Sequence, residues 1–111
     1  MLLPERMAVA YKLPDGKCPF RDWHRSIDDS RVRLAVHNRV NRAIFGNIGD
    51  CKPVGNGVHE MRIHYGPGYR VYFAYDGQDI LLLLIGGDKS SQESDIRTAK
   101  AYLQEYQQRG D

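Results

Sequence analysis

The 111-residue sequence predicts an α+β domain in which helices pack with an antiparallel sheet. Three observations support this class. Apolar residues recur at helical spacing between residues 19 and 45, they alternate at strand spacing between residues 58 and 76, and a helix-capping pattern follows near residue 90. With 41% apolar and 27% charged residues, the composition is that of a folded globular chain. The length leaves room for a single domain, residues 1–111.

The N-terminal region predicts a strand followed by a helix. Residues 6–13 place apolar side chains on alternating sides, and the turn residues Pro14, Asp15 and Gly16 end this strand. A first helix is predicted at about residues 19–28. Its apolar residues recur every three or four positions and should lie in the core: Phe20, Trp23 and Ile27.

A second helix is predicted at about residues 30–45. Asp29 or Ser30 can cap its first turn, and Gly46 marks its end. Its apolar stripe consists of Val32, Val36, Val40, Ala43 and Ile44. Glycines, an aspartate and a proline in residues 46–57 then predict a surface loop.

The rest of the chain predicts a three-strand meander and a last helix. Strands are expected at about residues 58–65, 69–76 and 79–86, and the first strand of the chain should pair with them. The last of the three is apolar on both faces and should lie centrally in the sheet. Ser90 and Glu93 form a Ser-x-x-Glu capping pattern. The helix that follows has a buried stripe of Ile96, Ala99, Leu103 and Tyr106.

Charge and cysteine content limit the functional classes. The formal net charge is only +2, yet residues 17–70 hold ten lysines and arginines against five acidic residues. This excess favours a polyanionic partner, although arginines that merely solvate helix faces would look the same. Cys18 and Cys51 fit neither a disulfide framework nor a zinc motif, so we expect a cytoplasmic protein with reduced thiols. The longest apolar run, residues 80–85, is too short for a membrane span, so we expect no membrane partner.

Strand alternation gathers polar side chains on one face of the predicted sheet. The side chains expected to point away from the core are Glu60, Arg62, His64, Arg70 and Tyr72. A simple hairpin would place Arg62 opposite Tyr72 and His64 opposite Arg70. Two arginines on neighbouring strands repel each other, and a bound anion would resolve that conflict. The alternative is a structural face on which Glu60 pairs with either arginine.

These side chains suit RNA cleavage through the 2′-hydroxyl group. That reaction needs cations around the phosphate and groups that move protons at the 2′-oxygen and at the leaving 5′-oxygen. Arginine, lysine, histidine and tyrosine can supply all of this without a metal or another cofactor. Pattern alone therefore favours, but does not require, an anion site.

Three motifs carry a family resemblance. Residues 46–63 read GNIGDCKPVGNGVHEMRI, residues 65–73 read YGPGYRVYF, and residues 86–92 read GGDKSSQ. Together they resemble the addiction module killer group of HigB-like toxins in the RelE/ParE superfamily. The resemblance spans about residues 46–100, whereas the first 45 residues agree in element order more than in sequence.

The resemblance implies a RelE/ParE-like microbial RNase fold, with an N-terminal strand and helical hairpin packed with an antiparallel sheet. It implies the toxin of a type II toxin–antitoxin system, an endoribonuclease that cleaves messenger RNA on the ribosome and inhibits translation. A cognate helix-turn-helix antitoxin would neutralise it, and operator DNA would be bound only through the antitoxin complex. The basic site residues of the family correspond here to Arg62, Arg70 and Lys89.

The remaining site assignments follow from residue type and position. Proton transfer is expected from His64 or Tyr72, and the roles of general base and general acid stay open between them. Candidate RNA-binding residues are Lys52 in the loop and Arg39 and Arg42 on the second helix, although each could be an ordinary solvated side chain.

Two other functions stay open at this point. One is a ParE-like DNA gyrase inhibitor without nuclease activity, and the other is a catalytically silent protein that binds an antitoxin-like partner or operator DNA. An outward cluster of Arg62, Arg70 and Lys89 favours the ribonuclease, because a gyrase inhibitor needs no phosphate clamp. We expect the antitoxin to cover the basic sheet face or to displace the C-terminal helix.

Overall fold

The structure, a computed structural model, describes residues 6–109 and confirms the α+β class. Its elements in chain order are β1 (Met7–Ala10), α1 (Pro19–Ser26), α2 (Ser30–Ile44), β2 (Cys51–Gly55), β3 (Val58–Ile63), β4 (Tyr69–Asp76), β5 (Ile80–Asp88) and α3 (Gln92–Arg109). A short 3₁₀ turn, Lys89–Ser91, precedes α3. The sheet is mixed, with strand order β1-β5-β4-β3-β2, and only β1 and β5 run parallel.

The first two helices lie where the sequence predicts them. Pro19 occupies the first position of α1, where its missing N–H group is not needed. Asp29 caps α2, since its side chain accepts a hydrogen bond from the backbone N–H of Arg31 at 2.9 Å. Gly46, with a φ of +94°, ends that helix.

Helices cover both faces of the sheet. On one face α1 and α2 pack on a core whose strand residues are Met61, Ile63, Val71, Phe73, Leu81 and Leu83. On the other face α3 packs on Val58, Tyr72, Ala74, Leu82 and Leu84. This arrangement confirms β5 as a central strand that is apolar on both faces. The part of the chain that the structure describes contains no helix long and apolar enough to cross a membrane.

The segment expected to be a surface loop contains a strand. Residues 51–55 form β2 at the edge of the sheet, where Lys52 pairs with Glu60 of β3. Pro53 cannot donate a hydrogen bond to a neighbouring strand, and the register shifts between Pro53 and Gly55. Both features are typical of an edge strand, and they hide its alternation in the sequence.

The hairpin of β3 and β4 differs from the expected one by two residues. The prediction that Arg62 opposes Tyr72 and that His64 opposes Arg70 is wrong. Arg62 pairs with Arg70, and Glu60 pairs with Tyr72. Side chains alternate with period two, so a shift of two residues changes the partners but keeps each side chain on its predicted face.

The cause of this shift is a longer turn. Residues 64–68 connect the two strands, because the backbone N–H of Tyr65 already donates to the Ile63 carbonyl at 3.0 Å and thereby ends β3. His64 consequently lies in the turn and not in the strand.

The predicted helix after Ser90 is confirmed as α3, but the expected capping pair of Ser90 and Glu93 is not what begins it. Asp88 caps the 3₁₀ turn that leads into α3, since its side chain accepts a hydrogen bond from the backbone N–H of Ser90 at 2.8 Å. The predicted stripe is confirmed: Ala99 and Leu103 are buried, and Ile96 and Tyr106 pack beside them.

Two glycines near the end of β5 allow helices to approach the sheet from both sides. A Cβ added to Gly86 would lie 2.2 Å from the Trp23 ring of α1, and a Cβ added to Gly87 would lie 1.9 Å from the Asp95 carboxylate of α3. Gly87 is also the strand partner of Arg70. These positions therefore fix how closely α1 and the first turn of α3 lie to the sheet.

We predict that Gly86→Ala lowers the free energy of unfolding by about 1–3 kcal/mol, because the added methyl group overlaps the Trp23 ring. Urea denaturation would measure the loss. In a Trp23→Leu background the smaller side chain should reduce the effect of Gly86→Ala. An equal effect in both backgrounds would contradict the packing explanation.

Candidate anion-binding site

The carboxylate of Glu60 lies at the centre of the candidate site. Its side chain is 0% exposed, on the face of β3 that α3 covers. Its Oε2 atom accepts hydrogen bonds from the Tyr72 hydroxyl at 3.1 Å and from the side-chain amide of Gln92 at 2.9 Å. Its Oε1 atom accepts one from Arg62 Nε at 3.3 Å.

Three cationic side chains surround this carboxylate. Lys52 Nζ lies 4.0 Å from Oε1 of Glu60, Arg62 Nε lies 3.3 Å from the same atom, and Arg70 Nε lies 3.5 Å from Oε2. The exposed fraction of the side chain falls from 51% for Lys52 to 37% for Arg62 and 12% for Arg70. One carboxylate thus faces three cations, which leaves an excess of positive charge that reaches solvent.

Arg70 holds a buried donor without a hydrogen-bond partner. Among the residues described, its Nε is the one buried side-chain nitrogen or oxygen that has no hydrogen-bond partner. The nearby Oε2 of Glu60 already accepts hydrogen bonds from Tyr72 and Gln92. An unpaired buried donor costs roughly 1–3 kcal/mol, so a native structure that keeps one calls for an explanation.

The pKa values of the network follow from burial and charge. Burial alone would raise the pKa of Glu60, but hydrogen bonds from Gln92, Arg62 and Tyr72 and the charge of Arg70 outweigh burial and hold that pKa below its ordinary value. Burial, followed by the neighbouring carboxylate, raises the pKa of Tyr72 far above its ordinary value. Near neutral pH the network therefore contains a charged Glu60 and a neutral Tyr72.

His64 and Lys89 directly follow β3 and β5, at the strand ends that carry Arg62 and Gly87, the strand partner of Arg70. His64 is largely exposed in the turn after β3, and its Nε2 lies 2.6 Å from Oδ2 of Asp50. The carbonyl of Asp50 accepts a hydrogen bond from the backbone N–H of Arg62 at 3.0 Å, so this pair flanks the Arg62 end of the site. Lys89 is exposed and directly follows β5. Neither residue forms a hydrogen bond or ion pair with Glu60 in the described part of the chain.

Arg39 has a structural position, contrary to the expectation that it contacts RNA. The side chain is buried, and its guanidinium donates to the backbone carbonyls of Arg62, Ile48 and Asp50. It thereby supports the segment before β2 and the end of β3. Arg42 is exposed, but α2 carries it on the face of the sheet opposite Glu60.

Tyr72 also differs from the expectation. The prediction that it faces outward is wrong, because α3 covers this part of the sheet and buries the ring completely.

Sequence reasoning missed Gln92, which lies 32 residues from Glu60 and meets it only through the docking of α3. The motif of residues 86–92, which ends at Gln92, was the one available signal.

The arrangement suits an anionic ligand more than a metal ion. Guanidinium and ammonium groups bind phosphate or carboxylate oxygens. Within residues 6–109 there is no group of three or more histidine, cysteine, aspartate or glutamate side chains that could hold a metal ion.

The fold and the site define a small α+β protein with a buried carboxylate beneath a basic patch. Residues 32–109 match the model of the family "Phage derived protein Gp49-like (DUF891)", and the chain belongs to that family. The family is associated with the RelE/HigB-like toxin superfamily. A Haemophilus influenzae (strain Rd) protein described as "Uncharacterized protein" is 42% identical over 86 residues, which cover 78% of this chain and 87% of that protein. Neither description names the HigB-like group itself.

We predict that Glu60→Gln lowers the free energy of unfolding by about 2 kcal/mol near neutral pH. This is less than the roughly 3–5 kcal/mol expected for a fully buried ion pair, because Lys52 and Arg62 keep part of their hydration. The folded-state pKa of Glu60 lies below the ordinary value of 4.5. The stability that the carboxylate contributes is therefore complete above that value and is lost as the pH falls through the folded-state pKa.

Urea denaturation of the wild type and of Glu60→Gln at several pH values would measure this effect. The stability difference between the two proteins should shrink as the pH falls below 4.5 and through the folded-state pKa of Glu60. The control is Glu93→Gln, which removes an exposed carboxylate on α3 and should change stability little. A difference that stays constant with pH would contradict a charged Glu60 as the centre of the network.

Proposed function

We propose that this chain is the toxin of a type II toxin–antitoxin pair and cleaves messenger RNA in a ribosome-dependent reaction. The observation that carries the proposal is the cluster of Lys52, Arg62 and Arg70 around one buried carboxylate, because its excess positive charge needs an anion. Membership of the Gp49-like family supports the proposal, since that family is associated with RelE/HigB-like toxins.

The proposed chemistry uses the 2′-hydroxyl group of the RNA. This group loses its proton, its oxygen attacks the adjacent phosphorus, and the bond from phosphorus to the 5′-oxygen breaks. The products are a 2′,3′-cyclic phosphate and a 5′-hydroxyl group that has taken up a proton. Negative charge on the phosphate grows in the transition state, so cations that bind this state more strongly than the ground state lower the barrier.

In this proposal the two arginines bind the reacting phosphate. Guanidinium groups can bind two phosphate oxygens at once, and Arg62 and Arg70 are direct partners across β3 and β4. Lys52 is the most exposed cation of the cluster and would contact the RNA backbone beside the reacting phosphate. Lys89, directly after β5, would add a further cation.

Proton transfer is assigned to His64 in preference to Tyr72. The imidazole is exposed and hydrogen-bonded to Asp50, so it is accessible to RNA and held in one orientation. The Tyr72 hydroxyl is buried and hydrogen-bonded to Glu60, and its raised pKa opposes loss of the proton.

A cognate helix-turn-helix antitoxin is the proposed neutralising partner. The antitoxin would cover the cluster or displace α3, and displacement would break the hydrogen bond between Gln92 and Glu60. Co-expression with the product of the neighbouring gene should restore growth and yield a stable complex. Full toxicity of such a complex would exclude this mode of neutralisation.

We predict that Arg62→Ala reduces message cleavage on the order of a hundredfold, because it removes a donor to the charged transition state. Lys52→Ala and Lys89→Ala should reduce cleavage in the same direction. Arg70→Lys should retain only part of the activity, because an ammonium group cannot bind two phosphate oxygens in the plane of a guanidinium. Growth after induction and primer extension on cellular message would measure these effects.

The control is Arg25→Ala, which removes an exposed arginine on α1, away from the cluster. The free energy of unfolding should change by less than about 1 kcal/mol in the exposed Lys52, Lys89 and Arg25 variants. A loss of cleavage in the Lys52 or Lys89 variant therefore cannot come from unfolding. Wild-type cleavage by the Arg62, Lys52 and Lys89 variants would contradict the site. Intact message accompanied by DNA breaks would favour the gyrase inhibitor.

A further inference from the structure

The two oxygens of the Glu60 carboxylate have different partners. Oε2 accepts hydrogen bonds from two neutral donors, the Tyr72 hydroxyl and the Gln92 amide. Oε1 faces the cations Arg62 and Lys52. Tyr72 and Gln92 thus fix Oε2 through hydrogen bonds, while Arg62 and Lys52 lie at Oε1 and Arg70 lies near Oε2 without a hydrogen bond to it.

This division explains why Arg70 has an unpaired buried donor. Its Nε lies 3.5 Å from Oε2, close enough for attraction between charges, but the hydrogen bonds to Oε2 come from Tyr72 and Gln92. Without either neutral donor, Oε2 would be free to accept a hydrogen bond from Arg70 Nε. The guanidinium would then be drawn toward the sheet and away from a ligand.

The carboxylate also sets the charge of the cluster. Lys52, Arg62 and Arg70 around the one Glu60 carboxylate leave two positive charges among these four side chains. A neutral residue at position 60 would leave three positive charges, which strengthen binding of any polyanion, but it would also remove the carboxylate beside which Lys52, Arg62 and Arg70 are held.

We infer that Glu60 is a positioning residue for RNA cleavage, and that Tyr72 and Gln92 act through it. It keeps the Arg70 guanidinium available to the phosphate and holds Arg62 and Lys52 at the same site. This inference rests on the proposed function. It assigns Tyr72 to the support of the cluster, since a completely buried ring beneath α3 cannot touch RNA.

A double-mutant cycle on the full chain tests the inference. In ribosome-dependent cleavage, Tyr72→Phe should lower kcat by roughly ten- to a hundredfold and leave KM nearly unchanged, because a misplaced guanidinium loses mainly transition-state contacts. Glu60→Gln should lower kcat by at least as much. The double variant should be no worse than Glu60→Gln alone, because Tyr72 acts only through Glu60. Tyr75→Phe, on the same strand but outside the site, is the matched control.

Binding of a single-stranded 2′-deoxy oligonucleotide, which cannot be cleaved, supplies an independent measurement. Glu60→Gln should bind it more tightly at low salt, and the slope of log affinity against log salt should become steeper by about 0.7 for the one added charge. Tyr72→Phe keeps the charge of Glu60 and should leave this slope unchanged.

Some results would overturn the inference. These are losses in kcat that add in the double variant, a wild-type kcat for Glu60→Gln, or an unchanged salt slope for that variant. If Glu60→Gln does not fold, a wild-type kcat for Tyr72→Phe would overturn the inference in its place. A wild-type chain that binds the oligonucleotide but never cuts message contradicts only the proposed function. The salt slope of oligonucleotide binding then remains the test, and an unchanged slope for Glu60→Gln would still overturn the role of the Glu60 charge.

Discussion

A carboxylate that is cut off from water stays charged only where hydrogen bonds and opposite charges replace its hydration. Glu60 is in this situation, and its partners come from four elements of the fold: Lys52 of β2, Arg62 of β3, Arg70 and Tyr72 of β4, and Gln92 of α3. The network is complete only when β2, β3 and β4 are in register and α3 has docked. The site therefore depends on the tertiary fold as a whole, and the fold avoids an unpaired buried charge only by forming the site.

The glycines of β5 make this docking possible. Gly87 stands beside Arg70 in the sheet, and the Asp95 carboxylate of α3 occupies the space that a side chain at position 87 would fill. A larger residue there would push the first turn of α3 away from the sheet, and Gln92 begins that helix. A position that carries no side chain thus controls whether the neutral donor of Gln92 reaches Glu60.

Strand alternation was sufficient to predict which side chains share a face, but not which ones are partners. Glu60, Arg62, Arg70 and Tyr72 do lie on one face, because the register error was an even number of residues. The partners depend on the length of the turn over residues 64–68, and glycines mark the presence of a turn better than they mark its length. The edge strand β2 was missed for a similar local reason, because Pro53 interrupts its pattern.

Burial could not be predicted from the strands alone. The apolar stripe of α3 shows that the helix packs on something, but not that it packs over Glu60 and Tyr72, so both were expected to point outward. Arg39 illustrates the converse, because a basic residue on a helix is usually solvated. Here its guanidinium satisfies carbonyl groups of the segment before β2, which local sequence patterns do not reveal.

The graded exposure of the three cations gives each a different role in the proposed reaction. Charges in contact with water attract a polyanion over roughly the 8–10 Å that salt screening allows, and Lys52 is the cation best placed for this first attraction. A largely buried charge is screened less and acts strongly only at short range. Arg70 would therefore affect mainly a phosphate that is already bound, at the stage where its negative charge grows. Because Glu60 contacts cations of both kinds, one buried carboxylate can couple the capture of RNA to the stabilisation of the transition state.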